Sequence, residues 1–293
     1  MNLRALEYLI ALADHCHFGK AAEACFVSQP TLSMQIKKLE ERLGVQLLER
    51  TNKSVMLTHA GKVIVERVRR ILTQVDDIYT EAKLAGDLYS GELKIGIIPT
   101  LGPYLLPRIM PSLKKVFPKL TFYLYEEKSA GLLDRLKQGY LDAAILSLPV
   151  HNNDFVCTTL FEEEFMLAMS EQRTPNKRKT IKQTELKDEQ LLLLDEGHCL
   201  RDQALIFCQN IHATESKQFR ATSLETLRHM VASGSGMTLI PKLACQKDDG
   251  IFYLPFAHPR PSRTIGFLWR QVSARKSLLQ DIASQIKRDT KQL

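Results

Sequence analysis

Apolar residues recur at helical spacing over the first 43 residues. Leu3, Leu6, Leu9, Ile10 and Ala13 share one face of a first helix. A second short helix fits residues 20–25. Leu32, Ile36, Leu39 and Leu43 follow at intervals of 4, 3 and 4 and mark the buried stripe of a third. Ser28 is placed to cap that helix, Pro30 suits its first turn, and Gly44 suits its C-terminal stop. Three short helices, two joined by a tight turn, predict a helix-turn-helix. Between Leu47 and Thr58, two short apolar-bearing arms flank a polar, basic tip, the pattern of a β-hairpin wing.

A long helix is predicted from Thr58 to about Leu88. Ile64, Val68, Ile71, Val75, Ile78 and Ala82 recur at 4, 3, 4, 3 and 4, a heptad seam of the kind that joins two helices. Thirty-one helical residues would reach about 46 Å. The seam argues for a homodimer; packing on the chain's own second domain is the competing reading. Tyr89-Ser90-Gly91 breaks the helix. Beyond it, strands are expected over 93–98, 120–125, 143–148, 165–169, 191–194 and 237–240. Helices are expected over 105–117, 132–138, 200–209 and 224–233. The βαβαβ alternation implies a mainly parallel sheet covered by helices, repeated as two α/β lobes. Ligands in such sheets sit in the crevice beyond the strand C-termini. Residues 174–182 read as a basic surface loop. The expected organisation is an all-α winged helix-turn-helix over 1–58, a linker and dimerisation helix over 59–90, and a two-lobed α/β regulatory domain over 91–293.

Composition narrows the class. With 44% hydrophobic and 25% charged residues, the chain has enough apolar surface for real cores, which excludes disorder as its main state. The longest aliphatic run, Leu191 to Leu194, is far short of a membrane span, and the N-terminus does not read as a signal peptide. Six cysteines without CxxC spacing are too few for a disulfide scaffold and do not form a zinc motif, so no metal or cofactor is expected. Free thiols in a reducing cytoplasm are the default. The net charge of +7 is sectioned: +4 over residues 1–70, −3 over 71–90, zero over 91–257 and +6 over 258–293.

The second helix of a helix-turn-helix enters the major groove with its first residues facing the bases. Here those are Gln29, Thr31, Ser33 and Gln35, with Ser28 just before them, Pro30 between Gln29 and Thr31, and Lys37 and Lys38 further along. Gln reads adenine in bidentate fashion, and hydroxyls adapt to several bases. Arg50 and Lys53 on the wing suit phosphate or minor-groove contact.

The stretch AAEACFVSQPTLSMQIKKLEERLGVQLLER (21–50), followed by LTHAG (57–61), resembles the N-terminal domain of LysR-type transcriptional regulators. The segments IGIIPTLGPYLLP (95–107), GHCLRDQA (197–204) with Cys208, FRATSLETLRHMVASGSG (219–236) and RTIGF (263–267) resemble the peroxide-sensing branch of that family. The resemblance implies that Cys199 is the peroxide-reactive thiol and Cys208 the resolving thiol. It also implies supporting roles for Thr100, Ser129, Asp202 and Arg263. Ser129 stands where that branch commonly carries Thr, so the hydroxyl is kept and a methyl lost. Asp142 falls in a segment that can face RNA polymerase, and Arg4 matches a DNA-backbone contact. The implied partners are double-stranded DNA, RNA polymerase and hydrogen peroxide as stimulus. The implied assembly is a homotetramer built from dimers, acting on catalase and peroxidase genes.

The segment also has a physical reading of its own. Cys199 follows a predicted strand and precedes a helix, where free N–H groups and the dipole favour a thiolate. His198 and Arg201 are expected to add positive charge. A sulfenic acid formed on a thiolate can be trapped by a second thiol. If residues 199–208 form intact helix, their Cα atoms lie about 13–14 Å apart along it and on opposite faces. A disulfide needs Cα atoms about 4.4–6.8 Å apart, so a bond requires unwinding. For Cys16, Cys25, Cys157 and Cys245, a small buried hydrophobe is the expected role. For Arg263 and Asp202, a surface base and a helix-start acid are the bland readings.

Three other functions compete. A regulator answering a metabolite in the inter-lobe cleft would keep its response after Cys199→Ser. A thiol peroxidase would turn over with a reductant and without DNA. A solute-binding protein would share the lobes but lack the winged domain. No Walker loop, GxSxG elbow or HExxH motif is present in the sequence.

Overall fold

Side-chain caps set the helix starts in the first part of the chain. In this computed structural model, which describes residues 2–50, 55–84, 89–150, 152–173 and 179–291, α1 (Leu3–His15) begins where Asn2 accepts the Ala5 N–H at 2.9 Å. Helix α2 (Phe18–Ala24) is capped by His17, whose Nδ1 accepts the Gly19 and Lys20 N–H groups, so it starts two residues earlier than the apolar pattern indicates. Helix α3 (Gln29–Leu43) starts on Ser28 and stops at Gly44, in the left-handed region with φ 70°. Each such cap contributes about 1 kcal/mol. The wing is the antiparallel pair β1 (Leu48–Arg50) and β2 (Val55–Leu57). Helix α4 (His59–Leu84) begins at Thr58, whose hydroxyl accepts the Gly61 N–H at 2.9 Å and donates to the Gln46 carbonyl at 2.8 Å.

Leu9, Leu12, Leu32, Ile36 and Leu47 form the fully buried centre of this unit. The heptad seam of α4 is not uniform. Val68 is buried and Ile64 packs against that same core, while Ile71 and Ile78 are exposed, Ile78 at 64%. The first turns therefore serve their own domain, and only the later seam positions stand open. The predicted helix end at Leu88 and the wing-tip Lys53 lie outside the described residues.

The chain divides into two compact units, Met1–Gly86 and Asp87–Leu293. The second runs β3 (Gly91–Ile97), α5 (Gly102–Val116), β4 (Leu120–Glu126), α6 (Ser129–Lys137), β5 (Ala143–Leu148) and β6 (Phe155–Ser170). Then come β7 (Gln190–Leu194), α7 (Cys199–Ile211), β8 (Thr214–Ala221), α8 (Leu224–Ala232), β9 (Thr238–Pro241), β10 (Ile251–Pro255), β11 (Ser262–Arg270) and α9 (Lys276–Asp289). Among the described residues, a seven-stranded sheet has the order β10-β6-β11-β5-β3-β4, with β9 also on β6; β7 and β8 form a separate parallel pair.

The expectation of a mainly parallel sheet is corrected. Strands β3, β4 and β5 are parallel, but every pairing of β6, and that of β11 with β5, is antiparallel. Strand β6 links the lobes: its first part pairs with β11 and its last part with β9 and β10. The polar stretch 157–164 hides this, because one face of the strand is half exposed. Of the basic surface loop expected over 174–182, residues 174–178 lie outside the described residues, and its end is corrected: Ile181 is buried and bridges Phe256.

The excess charge near the C-terminus is partly structural. Arg263, Arg270 and Arg275 are buried. Arg270 donates to the carbonyls of Leu136 and Leu141, and Arg275 to those of Ser90 and Glu92. These guanidiniums secure backbone rather than present charge.

Among the described glycines of the winged unit, Gly61 marks the closest approach: a Cβ there would lie 2.1 Å from the Leu47 carbonyl oxygen. Gly61→Ala is expected to destabilise this unit by about 1–3 kcal/mol. In urea, circular dichroism should show an early helical loss that fluorescence of the single Trp269, buried in the other unit, does not follow. Coincident, unshifted transitions would contradict the steric argument.

Candidate functional site

Three strand-to-helix turns meet around Cys199. Strand β3 leads through Thr100 into α5, β4 leads to Ser129 at the start of α6, and β7 leads through His198 to Cys199 at the start of α7. The place is the crevice beyond strand C-termini. Cys199 is half-buried and packs against the larger core of this unit.

Arg263 organises the site from β11. Its guanidinium donates through Nη1 to Thr100 Oγ1 at 3.0 Å and through Nη2 to the Thr100 carbonyl at 3.1 Å. Its Nε donates to Glu163 Oε2 at 2.8 Å, and both charges are almost fully buried. Glu163 also accepts the Leu243 N–H at 3.0 Å. Removing one member of such a buried pair typically costs about 3–5 kcal/mol. The reading of Arg263 as a surface base is therefore corrected.

Burial pushes the Cys199 thiol above the ordinary cysteine value. The Arg263 charge, the nearby Ser129 hydroxyl and the Leu200 N–H pull it down, and Asp202 pushes it up. Burial wins, so the resting group is the thiol. The donors that would hold a thiolate are nonetheless in place around it. The Ser129 Oγ is buried and makes no hydrogen bond in this resting geometry.

His198 and Arg201 do not act as the sequence suggested. Burial and the nearby Lys128 hold the His198 pKa down, so the ring is neutral; it bonds the Thr222 backbone, and its Nε2 is buried without a partner. Arg201 turns away to form a bidentate pair with Glu215 at 2.7 and 2.8 Å and donates to the Leu194 carbonyl at 2.8 Å. It fastens α7 to β7 and β8. Asp202 is exposed in the first turn of α7.

Cys208 lies elsewhere. It is buried with Phe207, Ile211, Leu191 and Phe256 in a second hydrophobic cluster, distinct from the one Cys199 touches. Burial and the charge of Glu215 push its thiol up. Helix α7 is continuous from Cys199 to Ile211, and both thiols are free. Nine residues of helix keep their Cα atoms about 13.5 Å apart along the axis. The remaining cysteines divide: Cys16 and Cys157 are exposed, correcting their expected burial, and Cys25 and Cys245 are half-buried. Burial pushes Cys245 up to about 12, an inert thiol at neutral pH.

On α3, Gln29, Pro30, Thr31, Lys37 and Lys38 are exposed and Ser33 and Gln35 half-buried. Ser28 bonds the Thr31 hydroxyl at 2.7 Å, so it orders the helix start as well as facing outward. Arg4 is exposed on α1, and Arg50 ends β1. Asp142 accepts the Lys94 N–H at 2.8 Å, a structural contact inside its own lobe.

Residues 3–62 match the model of the lysR-family bacterial regulatory helix-turn-helix protein, and residues 86–291 match the LysR substrate binding domain. The chain is 49% identical over 290 residues to the DNA-binding transcriptional dual regulator OxyR of Escherichia coli, covering 98% of this chain and 95% of that one. The chain belongs to the LysR family, in its OxyR branch. Full-length OxyR from Pseudomonas aeruginosa, carrying a C199D substitution, superposes with a TM-score of 0.80 at 38% identity, over 98% of this chain and 95% of that one. The reduced form of OxyR superposes with a TM-score of 0.65 at 45% identity, over 70% of this chain and 98% of that one. The family is one of transcription regulators. No described helix is long and apolar enough to cross a membrane.

Sequence reasoning missed Glu163 and Lys128. Glu163 sits in a run of three glutamates, and nothing local tells which one is buried. Lys128 donates to the Glu196 carbonyl at 2.6 Å and so holds the turn before Cys199. Glu163 also borders a cavity of about 430 Å³ lined by Arg108, Phe161, Lys242 and Leu243.

Because burial disfavours the charged form of Cys199, its thiolate fraction is small at neutral pH and grows with pH. Alkylation of Cys199 in the reduced protein should rise about tenfold per pH unit from 6 to 8. A rate that levels off below pH 7 would contradict the protonated resting state.

Proposed function

We propose that this chain is a hydrogen-peroxide-sensing, DNA-binding transcription regulator, switched by a reversible Cys199–Cys208 disulfide. The observation that carries the reading is the pairing of a crevice thiol, ringed by Arg263, Ser129 and the Leu200 N–H, with a second thiol nine residues along one helix. The Cys199 sulfur, as thiolate, attacks one peroxide oxygen; the O–O bond breaks and the other oxygen leaves as water with the thiol's proton. The Cys208 sulfur then attacks the sulfenic sulfur, the S–O bond breaks and a second water leaves. Two thiols and one peroxide give one disulfide and two waters. Thr100, held by Arg263, is a positioning group for peroxide, and the neutral His198 leaves the nearby positive charge to Arg263.

In this reading α3 enters the major groove, with Ser28, Gln29, Pro30, Thr31, Ser33, Gln35 and Lys38 toward the DNA. Arg4, Arg50 and Lys53 take phosphates or the minor groove. The exposed seam around Ile71 and Ile78 pairs two chains, so each dimer meets a pseudo-palindromic site. Two dimers form a tetramer whose geometry changes on oxidation. The protein acts in the cytoplasm on oxidative-stress genes through RNA polymerase. Peroxide is a stimulus here, consumed once per switching event.

The cavity beside Glu163 favours one other reading, a regulator answering a small molecule between the lobes. Cys199→Ser and Cys208→Ser separate the two. After a low peroxide dose, thiol mapping should give a Cys199–Cys208 bond in the wild type. Peroxide-dependent transcription from a bound promoter should fall to the uninduced level in Cys199→Ser. A response that survives this substitution would overturn the redox reading and leave the cavity as the sensor.

A further inference from the structure

Among the described residues of the winged unit, the most exposed large apolar side chain is Phe26, at 96%. It sits in the turn between α2 and α3 with φ 55°, the left-handed region that bulky side chains disfavour. Its neighbours Cys25 and Val27 pack against the winged core, so the backbone turns Phe26 outward. The turn is fastened by the Phe26 N–H on the Glu23 carbonyl and the Val27 N–H on the Ala22 carbonyl. A residue that is both strained and unburied adds nothing to this fold. Glycine would suit the backbone better.

A second exposed apolar side chain lies on α3 itself. Met34 is 51% exposed, four residues after Pro30 and three before Lys37, so it shares their outward face. Phe26 precedes the start of the same helix by three residues. Together they make the reading surface apolar at two points among glutamine, hydroxyl and lysine groups. In the major groove, thymine offers an apolar C5-methyl group, and the groove rim offers deoxyribose faces.

We propose that Phe26 and Met34 are apolar DNA contacts that set operator preference by burying against thymine methyl groups. The proposal rests on the DNA-binding reading of α3 and is distinguishable from it. The probe is an operator duplex selected from a random pool by the full-length wild-type protein. It is compared with the same duplex carrying deoxyuridine for thymidine and with an unrelated duplex of equal length. Binding is followed by fluorescence anisotropy.

Phe26→Ala and Met34→Ala should each lose at least about fivefold on the operator and little on the unrelated duplex. Deoxyuridine should cost the wild type a similar factor and the variants much less. Phe26→Gly should match the wild type or exceed it in thermal stability while losing the same affinity, which a structural role would not produce. If the alanine variants lose equally on all three duplexes, the side chains neither read thymine methyl groups nor set operator preference, and the proposal is overturned. If both variants bind within twofold of wild type while Gln29→Ala loses operator affinity, the proposal is overturned. A Gln29→Ala protein that also binds normally would overturn the reading of α3 instead.

Discussion

Nine residues of unbroken helix hold Cys199 and Cys208 in different cores, and the logic of the molecule depends on that separation. Helix geometry sets the two thiols about 13.5 Å apart along the axis and on opposite faces. No rotamer change can close that gap to disulfide length. Phe207 and Ile211 anchor the far end of α7 in the second cluster, and Arg201 fastens its near end to Glu215. Each large apolar side chain withdrawn from such a core costs about 1.5–3 kcal/mol. A bond between these thiols therefore competes with local folding. Every 1.4 kcal/mol of repacking makes the disulfide easier to reduce by about 30 mV, which suits a signal that must reset.

The crevice end of the helix obeys a different balance. Burial protects Cys199 by keeping its proton on, while Arg263, Ser129 and the Leu200 N–H lie where a thiolate would need them. Arg263 can serve there only because Glu163 balances it in the interior and Thr100 receives its remaining donors. The site is thus built from both lobes: Thr100, Ser129 and Arg263 belong to the elements around β3, β4 and β11, and Cys199 to α7. A change in α7 alters contacts across the crevice directly, which gives oxidation a route to the rest of the domain.

Much of this was legible in the sequence, for local reasons. The 4, 3, 4 spacing of Leu32, Ile36, Leu39 and Leu43, with Ser28 and Gly44 as its ends, writes α3 almost residue by residue. The parallel β3–β4–β5 unit follows from short-range alternation. What was not legible depends on distant partners. The antiparallel run of β6 against β11 joins residues about 100 apart, and no local pattern announces it. The same pairing buries Glu163 and Arg263 together, so the positive charge acting on Cys199 comes from β11 and not from the adjacent His198 and Arg201. Charge sections mislead for the same reason: Arg270 and Arg275 look like surface bases and instead hold carbonyls.

The central claim is that bonding these thiols requires α7 to unwind. Hydrogen exchange read by mass spectrometry, on reduced protein and on peroxide-treated protein whose Cys199–Cys208 bond has been mapped in the same sample, tests it most directly. The account predicts that amides over residues 200–208, protected in the reduced helix, exchange much faster once the bond has formed. A mapped Cys199–Cys208 disulfide with protection of those amides unchanged would contradict it.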